Sequence, residues 1–163
     1  AEAMAERLGE HGIQLYYHNH HNEFEKFDGE YVLDIMKNTT SKLGFELDVH
    51  WIQRGGEDPV KTIQRYAGRV TLLHLKDYRI GKMDMSALSK GDMSQFMQTF
   101  TNIVEFAEVG EGNLDMKGII EAGLESGSQY FFIEQDNQYG RDPFDCLKIS
   151  KENLETLGYE AWF

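Results

Sequence analysis

Four times along this chain a run of apolar and β-forming residues stops in histidine or acid. The runs are Leu15-Tyr16-Tyr17-His18-Asn19-His20, Phe45-Glu46-Leu47-Asp48-Val49-His50, Leu72-Leu73-His74-Leu75-Lys76-Asp77 and Phe131-Phe132-Ile133-Glu134-Gln135-Asp136. Each reads as a short strand, and the last is expected to be buried. Polar residues at the C-terminal end of a strand stand at the rim of a sheet, where α/β enzymes keep their chemistry. A lone His or Asp there is ordinarily a cap or a satisfied hydrogen-bonder. Recurrence in four successive units is the signal.

Between the strands the pattern changes to helical. Ala1 to His11 reads as the end of a helix stopped by Gly12, and Tyr31 to Met36 as a short amphipathic helix after the Asp28-Gly29 turn. Asp58-Pro59 and Asp142-Pro143 each place a capping Asp before a proline at the first helical position. Strands are expected at Ile13 to Tyr17, Leu43 to Val49, Arg69 to Leu75 and Gln129 to Ile133. Leu114 to Leu124 is expected to be a helix with Leu114, Ile119, Ile120 and Leu124 inward. The polar, Met-rich stretch within residues 78–112 breaks the rhythm; it reads as an insertion over the active face, with a helix through Met93 to Phe100.

Strand–helix alternation of this kind means an α/β fold with a parallel sheet. An open doubly wound sheet and part of a (β/α)8 barrel both fit. Four βα units are half of a barrel that needs roughly 250 residues, and 163 residues suffice for one domain. Chemistry at all four strand ends favours barrel-type units, because an open sheet concentrates its site at one switch point.

Residues two apart share a face of a strand. Glu46, Asp48 and His50 are therefore expected to point one way, as are Leu72, His74 and Lys76, and Phe132, Glu134 and Asp136. One inward rim position per strand selects His18, Asp48, His74 and Glu134. Two imidazoles and two carboxylates suit Mn²⁺, Co²⁺ or Zn²⁺ better than Mg²⁺ or Ca²⁺, which prefer all-oxygen shells. Trp51, just past the second strand, is a candidate floor for a sugar or a packing residue. Gly110-Glu111-Gly112 lacks the third glycine of a phosphate-binding fingerprint, and no Gly-x-Ser-x-Gly elbow is present.

The formal charge of −12 argues against nucleic acid or an anionic membrane as partner, since either requires a basic face. No apolar run of about 18 residues exists to span a bilayer. A signal-peptide pattern is absent, although the chain opens at Ala1 rather than Met. The single Cys146 fits a reducing cytoplasm.

The strings YHNHHNEF at 17–24, ELDVHW at 46–51, GRVTLLHLKD at 68–77, VGEGNLD at 109–115, FIEQD at 132–136 and DPFDCLKISKENLETLG at 142–158 resemble the sugar phosphate isomerase/epimerase family with the xylose-isomerase-like TIM barrel. The likeness runs nearly the whole chain and corresponds to strands five to eight, so residues 1–163 read as one such domain lacking its N-terminal half. The resemblance implies a single divalent metal, manganese first with cobalt or zinc as alternatives, held by one residue from each strand. Asp48, His74 and Glu134 match the family's last three ligands, and His18 stands where many members have Glu. It also implies proton abstraction beside a carbonyl through a metal-stabilised enediolate. Glu134 would bind metal and serve as acid/base, His20 as base, and Lys76 as partner of the developing oxyanion. Glu23, Trp51 and Asp136 are candidates for hydroxyl recognition. With a leaving group β to the carbanion, the same residues would run a dehydratase or lyase on a keto-inositol or keto-sugar.

Endonuclease IV-type repair enzymes share this barrel, but the negative charge and the small ligand set argue against that activity. A half-barrel that acts only by association is the remaining class. Four βα units expose both sheet edges. The chain is therefore expected either to homo-oligomerise through them or to lack an N-terminal half.

Overall fold

In the computed structural model, which describes residues 1–163, helix α1 (Glu2–Gly9) leads to strand β1 (Tyr16–His18). A one-turn 3-10 helix (Asn22–Phe24), the short strands β2 (Lys26–Phe27) and β3 (Glu30–Tyr31) and helix α2 (Val32–Thr39) follow. Next come β4 (Gly44–Asp48), α3 (Val49–Arg54), α4 (Pro59–Arg65) and β5 (Val70–Leu75). The chain continues through β6 (Asp77–Ile80), α5 (Ser86–Ser89), α6 (Met93–Thr101), β7 (Val104–Ala107), α7 (Met116–Ser126), β8 (Tyr130–Ile133) and α8 (Pro143–Leu154). Strands β1, β4, β5 and β8 form one parallel sheet in that order, which matches half of a TIM barrel. No helix is long and apolar enough to cross a membrane.

Two compact units emerge: Ala1–Lys76 with Asp115–Glu134, and Asp77–Leu114 with Gln135–Phe163. The first holds the parallel sheet. On one face, Phe45, Leu47, Leu73 and Leu75 are fully buried, with the Tyr66 ring 5.1 Å from Phe45. Helix α7 reaches this face because residue 123 is glycine: a Cβ there would lie 2.5 Å from Leu73 Cδ1. Gly127, at φ 95°, ends the helix in the left-handed conformation. The opposite face carries His18 paired with Glu46 and, two residues further on, Asp48 with His74 and His74 with Phe132.

Local capping follows the sequence. Asp58 accepts from the Lys61 N–H at 3.2 Å, and Asp142 from the Phe144 N–H at 2.9 Å. Several expectations need correcting. The last strand is an edge rather than a buried one, with Tyr130 58% and Phe132 43% exposed on the face opposite α7. Leu124 is 49% exposed, since α7 starts at Met116 and its inward stripe falls on Met116, Ile119, Ile120 and Gly123. The β4 period stops at Asp48, because a helix begins at Val49; His50 is buried in that helix instead of continuing the strand face.

The second unit contains what the sequence suggested was an irregular insertion. Strands β6 and β7 pair antiparallel, Asp77 opposite Ala107 and Ile80 opposite Val104, with α5 and α6 between them in sequence. Their mixed composition hid them, and their partnership spans too many residues for a local turn signal. The buried Asp77 carboxylate accepts from the N–H groups of Tyr78, Gly110, Gly112 and Leu114 at 2.7–3.3 Å. Gly112 is obligatory beside it, because a Cβ would fall 2.2 Å from Asp77 Oδ1.

Candidate metal centre

The rim of the parallel sheet gathers His18, Asp48, His74 and Glu134 so that one potential ligand atom from each lies within 4.8 Å of all the others. Register accounts for the meeting. Asp48 stands opposite His74, His18 lies two residues below it on the neighbouring strand, opposite Glu46, and Glu134 follows directly on β8. His18 Nε2 is 3.3 Å from Asp48 Oδ2, and His74 Nδ1 is 2.8 Å from Glu134 Oε2 and 3.6 Å from Asp48 Oδ2.

Asp48 divides its two oxygens between fold and site. Oδ1 caps α3 by accepting from the Trp51 N–H at 3.1 Å, while Oδ2 faces the cluster. Its own N–H donates to Oδ1 of the buried Asn19 at 2.9 Å. Burial opposes ionisation of Asp48, yet His18, His74, Lys76 and the Trp51 N–H outweigh it and hold the carboxyl well below the usual carboxylate range. Lys76, only 2% exposed, places Nζ 3.2 Å from Asp48 Oδ2 and 3.1 Å from Glu134 Oε2. Burial would lower the His74 pKa, but Asp48, Glu46 and Glu134 around the ring raise it on balance.

His74 Nδ1 tests whether a cation fits. The atom is buried and has no hydrogen bond of proper geometry, although two carboxylate oxygens approach it. An imidazole nitrogen that faces two carboxylates without a hydrogen bond is a poor arrangement in itself and a good one around an electrophile. With imidazole and carboxylate donors mixed, the set suits a transition ion or zinc.

His20 is exposed at the margin of the cluster, its ring centroid 4.9 Å from that of His18 and 5.2 Å from that of Trp51. Trp51 is half-buried among His20, His21 and His50, with Lys76 Nζ 5.8 Å from its ring centroid. Glu23 is turned inward to its own loop. Its carboxylate accepts from Tyr17 Oη at 2.9 Å, the His20 N–H at 2.6 Å and Asn22 Nδ2 at 3.0 Å. Burial and that carboxylate push the Tyr17 pKa up to about 12. Asp136 is exposed in the second unit, whereas every other candidate lies in the first. Sequence reasoning missed Glu46, whose Oε1 sits 2.6 Å from His74 Nε2. Its signal was available: a carboxylate two residues before a ligand, on the same face of the strand.

The model of the xylose isomerase-like TIM barrel matches residues 1–157. The chain is 31% identical over 163 residues to the rhizopine catabolism protein MocC of Rhizobium meliloti, covering 98% of this chain and 48% of that protein. It is 29% identical over 157 residues to the inosose dehydratase of Lacticaseibacillus casei, covering 94% and 51%. Among solved structures, a sugar phosphate isomerase/epimerase from Parabacteroides distasonis superposes with a TM-score of 0.69 at 25% identity, over 93% of this chain and 48% of that one. An L-ribulose 3-epimerase shares the fold, with a TM-score of 0.60 at 17% identity over 98% and 53%. The chain thus spans about half the length of the relatives it matches. From the match over 157 of 163 residues, the chain belongs to the xylose isomerase-like TIM barrel family.

Proposed function

We propose that this chain carries the metal-binding part of a sugar or sugar phosphate isomerase/epimerase that moves a proton beside a carbonyl. The observation that carries the reading is the four-residue cluster with the orphaned Nδ1 of His74 at its centre. His18, Asp48, His74 and Glu134 would hold a divalent ion, manganese first with cobalt or zinc as alternatives on the mixed donor set. A bound ion would supply Lewis-acid polarisation of the substrate carbonyl and an adjacent hydroxyl.

The remaining work falls to the chain itself. Glu134, with a side chain 45% exposed, is open to substrate and serves as an acid/base group as well as a ligand. His20 holds or releases a proton from the open side of the cluster. Lys76, held with its Nζ between two carboxylates, faces oxyanion charge as it develops. Trp51 offers an apolar surface for a sugar ring; Glu23, buried and bonded within its own loop, is not available to substrate hydroxyls.

A second reading is a dehydratase on a keto-inositol or keto-sugar, in which a leaving group lies β to the carbanion. The inosose dehydratases among the relatives support the same branch.

Metal analysis of the purified chain beside Asp48→Ala and Glu134→Ala tests the site. Stoichiometric Mn²⁺ in the parent and its loss in both variants is the expected result; equal metal in all three overturns the reading. Solvent deuterium uptake by ketoses without loss of water selects the isomerase, and water loss from keto-inositols selects the dehydratase.

A further inference from the structure

Building on the metal-site reading above, we propose that Glu46 is a positioning residue that fixes the tautomer of His74. Glu46 Oε1 lies 2.6 Å from His74 Nε2, and both side chains are mostly buried. A neutral imidazole carries one N–H. A carboxylate is an acceptor only; the contact at Nε2 is the shorter, 2.6 Å against 2.8 Å from Nδ1 to Glu134 Oε2, and Nδ1 makes no hydrogen bond of proper geometry, so the single proton of the neutral ring goes to Nε2 and the lone pair is left on Nδ1. The other tautomer would set the Nε2 lone pair against a carboxylate oxygen at 2.6 Å, a contact of two acceptors.

Nδ1 is the ring atom that faces Asp48 Oδ2 and Glu134 Oε2, and it is the atom left without a hydrogen bond. Glu46 therefore directs the lone pair to the place where the other ligand atoms converge. Histidine ligands commonly donate their second nitrogen to a carboxylate in this way, which orients the ring and raises its basicity. The backbone supports the assignment: Glu46 pairs with Leu72 and Asp48 with His74, so Glu46 approaches His74 diagonally, from two residues below on the same face. The cluster selects ligands by strand register, and the same register supplies the residue that orients one of them.

The test uses the full chain, with Mn²⁺ alone as the probe in calorimetric titration and ¹⁵N NMR of the metal-free His74 ring at alkaline pH. Glu46→Ala is expected to weaken Mn²⁺ binding about 10–100-fold, the range for losing an outer partner of a ligand histidine. Glu46→Gln, which keeps an oxygen able to accept from Nε2, is expected to retain more affinity than Glu46→Ala. The neutral ring should read as Nε2–H in the parent and as a mixture in Glu46→Ala, a change that loss of packing alone would not produce. Unchanged Mn²⁺ affinity in a folded Glu46→Ala overturns the proposal, as does an Nδ1–H ring in the parent. A parent that takes up no Mn²⁺ sinks the metal-site reading instead, and the tautomer measurement then decides the role of Glu46 alone.

Discussion

The two faces of the parallel sheet are made by alternate residues of the same strands and have opposite chemistry. Phe45, Leu47, Leu73 and Leu75 form a dry face under helix, with no exposed surface. Glu46, Asp48, Leu72 and His74, interleaved with them, form a face that carries charge, stays partly open and converges on one point. The first face holds the sheet together and the second gathers the side chains of the candidate site. Because a strand's side chains alternate, neither can shift register without the other. The lesson is that the four-residue cluster borrows its precision from the apolar face.

Changes confined to one face should leave the other intact. The largest effect is expected at Leu73, where truncation to Ala empties a fully buried site against α7. Leu73→Ala should cost about 2–5 kcal/mol in denaturant unfolding, while a folded sample keeps its Mn²⁺ affinity. Loss of metal binding in that variant at temperatures where it remains folded would break the separation. Glu134→Ala is the converse. It should weaken Mn²⁺ binding by more than about 100-fold, beyond what an outer partner costs, yet shift stability by less than about 1 kcal/mol because the side chain is half in solvent. Calorimetric titration and thermal melts on the same sample measure both.

The smallest effect is the response of the metal-free chain to pH. His74 has a raised pKa in the folded state, so the stability it contributes is fully present below its unfolded value of 6.5 and lost as pH rises through the higher folded value. The melting temperature should decline by a few degrees across that window, and His74→Gln should flatten the decline. Mn²⁺ affinity should run the other way and rise as the ring loses its proton, because a ligating imidazole must be neutral. Parallel rather than opposed trends would show that His74 is not shared between the two roles.

Much of this architecture was legible along the chain. Asp58-Pro59 and Asp142-Pro143 announced their helices because capping is local chemistry. His18, Asp48, His74 and Glu134 stood out because a strand's period of two is short enough to read. The hairpin of β6 and β7 escaped, since a pairing between residues 77–80 and 104–107 leaves no mark in either segment. The exposure of Tyr130 and Phe132 escaped for a related reason: apolar residues in a strand do not say whether anything covers the face they point to. Glu46 was read as a strand position and not as a partner of His74, because that contact crosses from one strand to the next.

Residue order by itself determined the strand–helix alternation, the caps and which four side chains reach the rim, for each depends on neighbours a few positions away. Only the tertiary structure decided that their ligand atoms come within 4.8 Å, that His74 Nδ1 is left without a hydrogen bond, and that Lys76 and Glu46 close around them. Those facts arise from sheet register and packing between segments far apart in the chain. Local propensity does not encode such distances; the burial of the opposite, apolar face sets them.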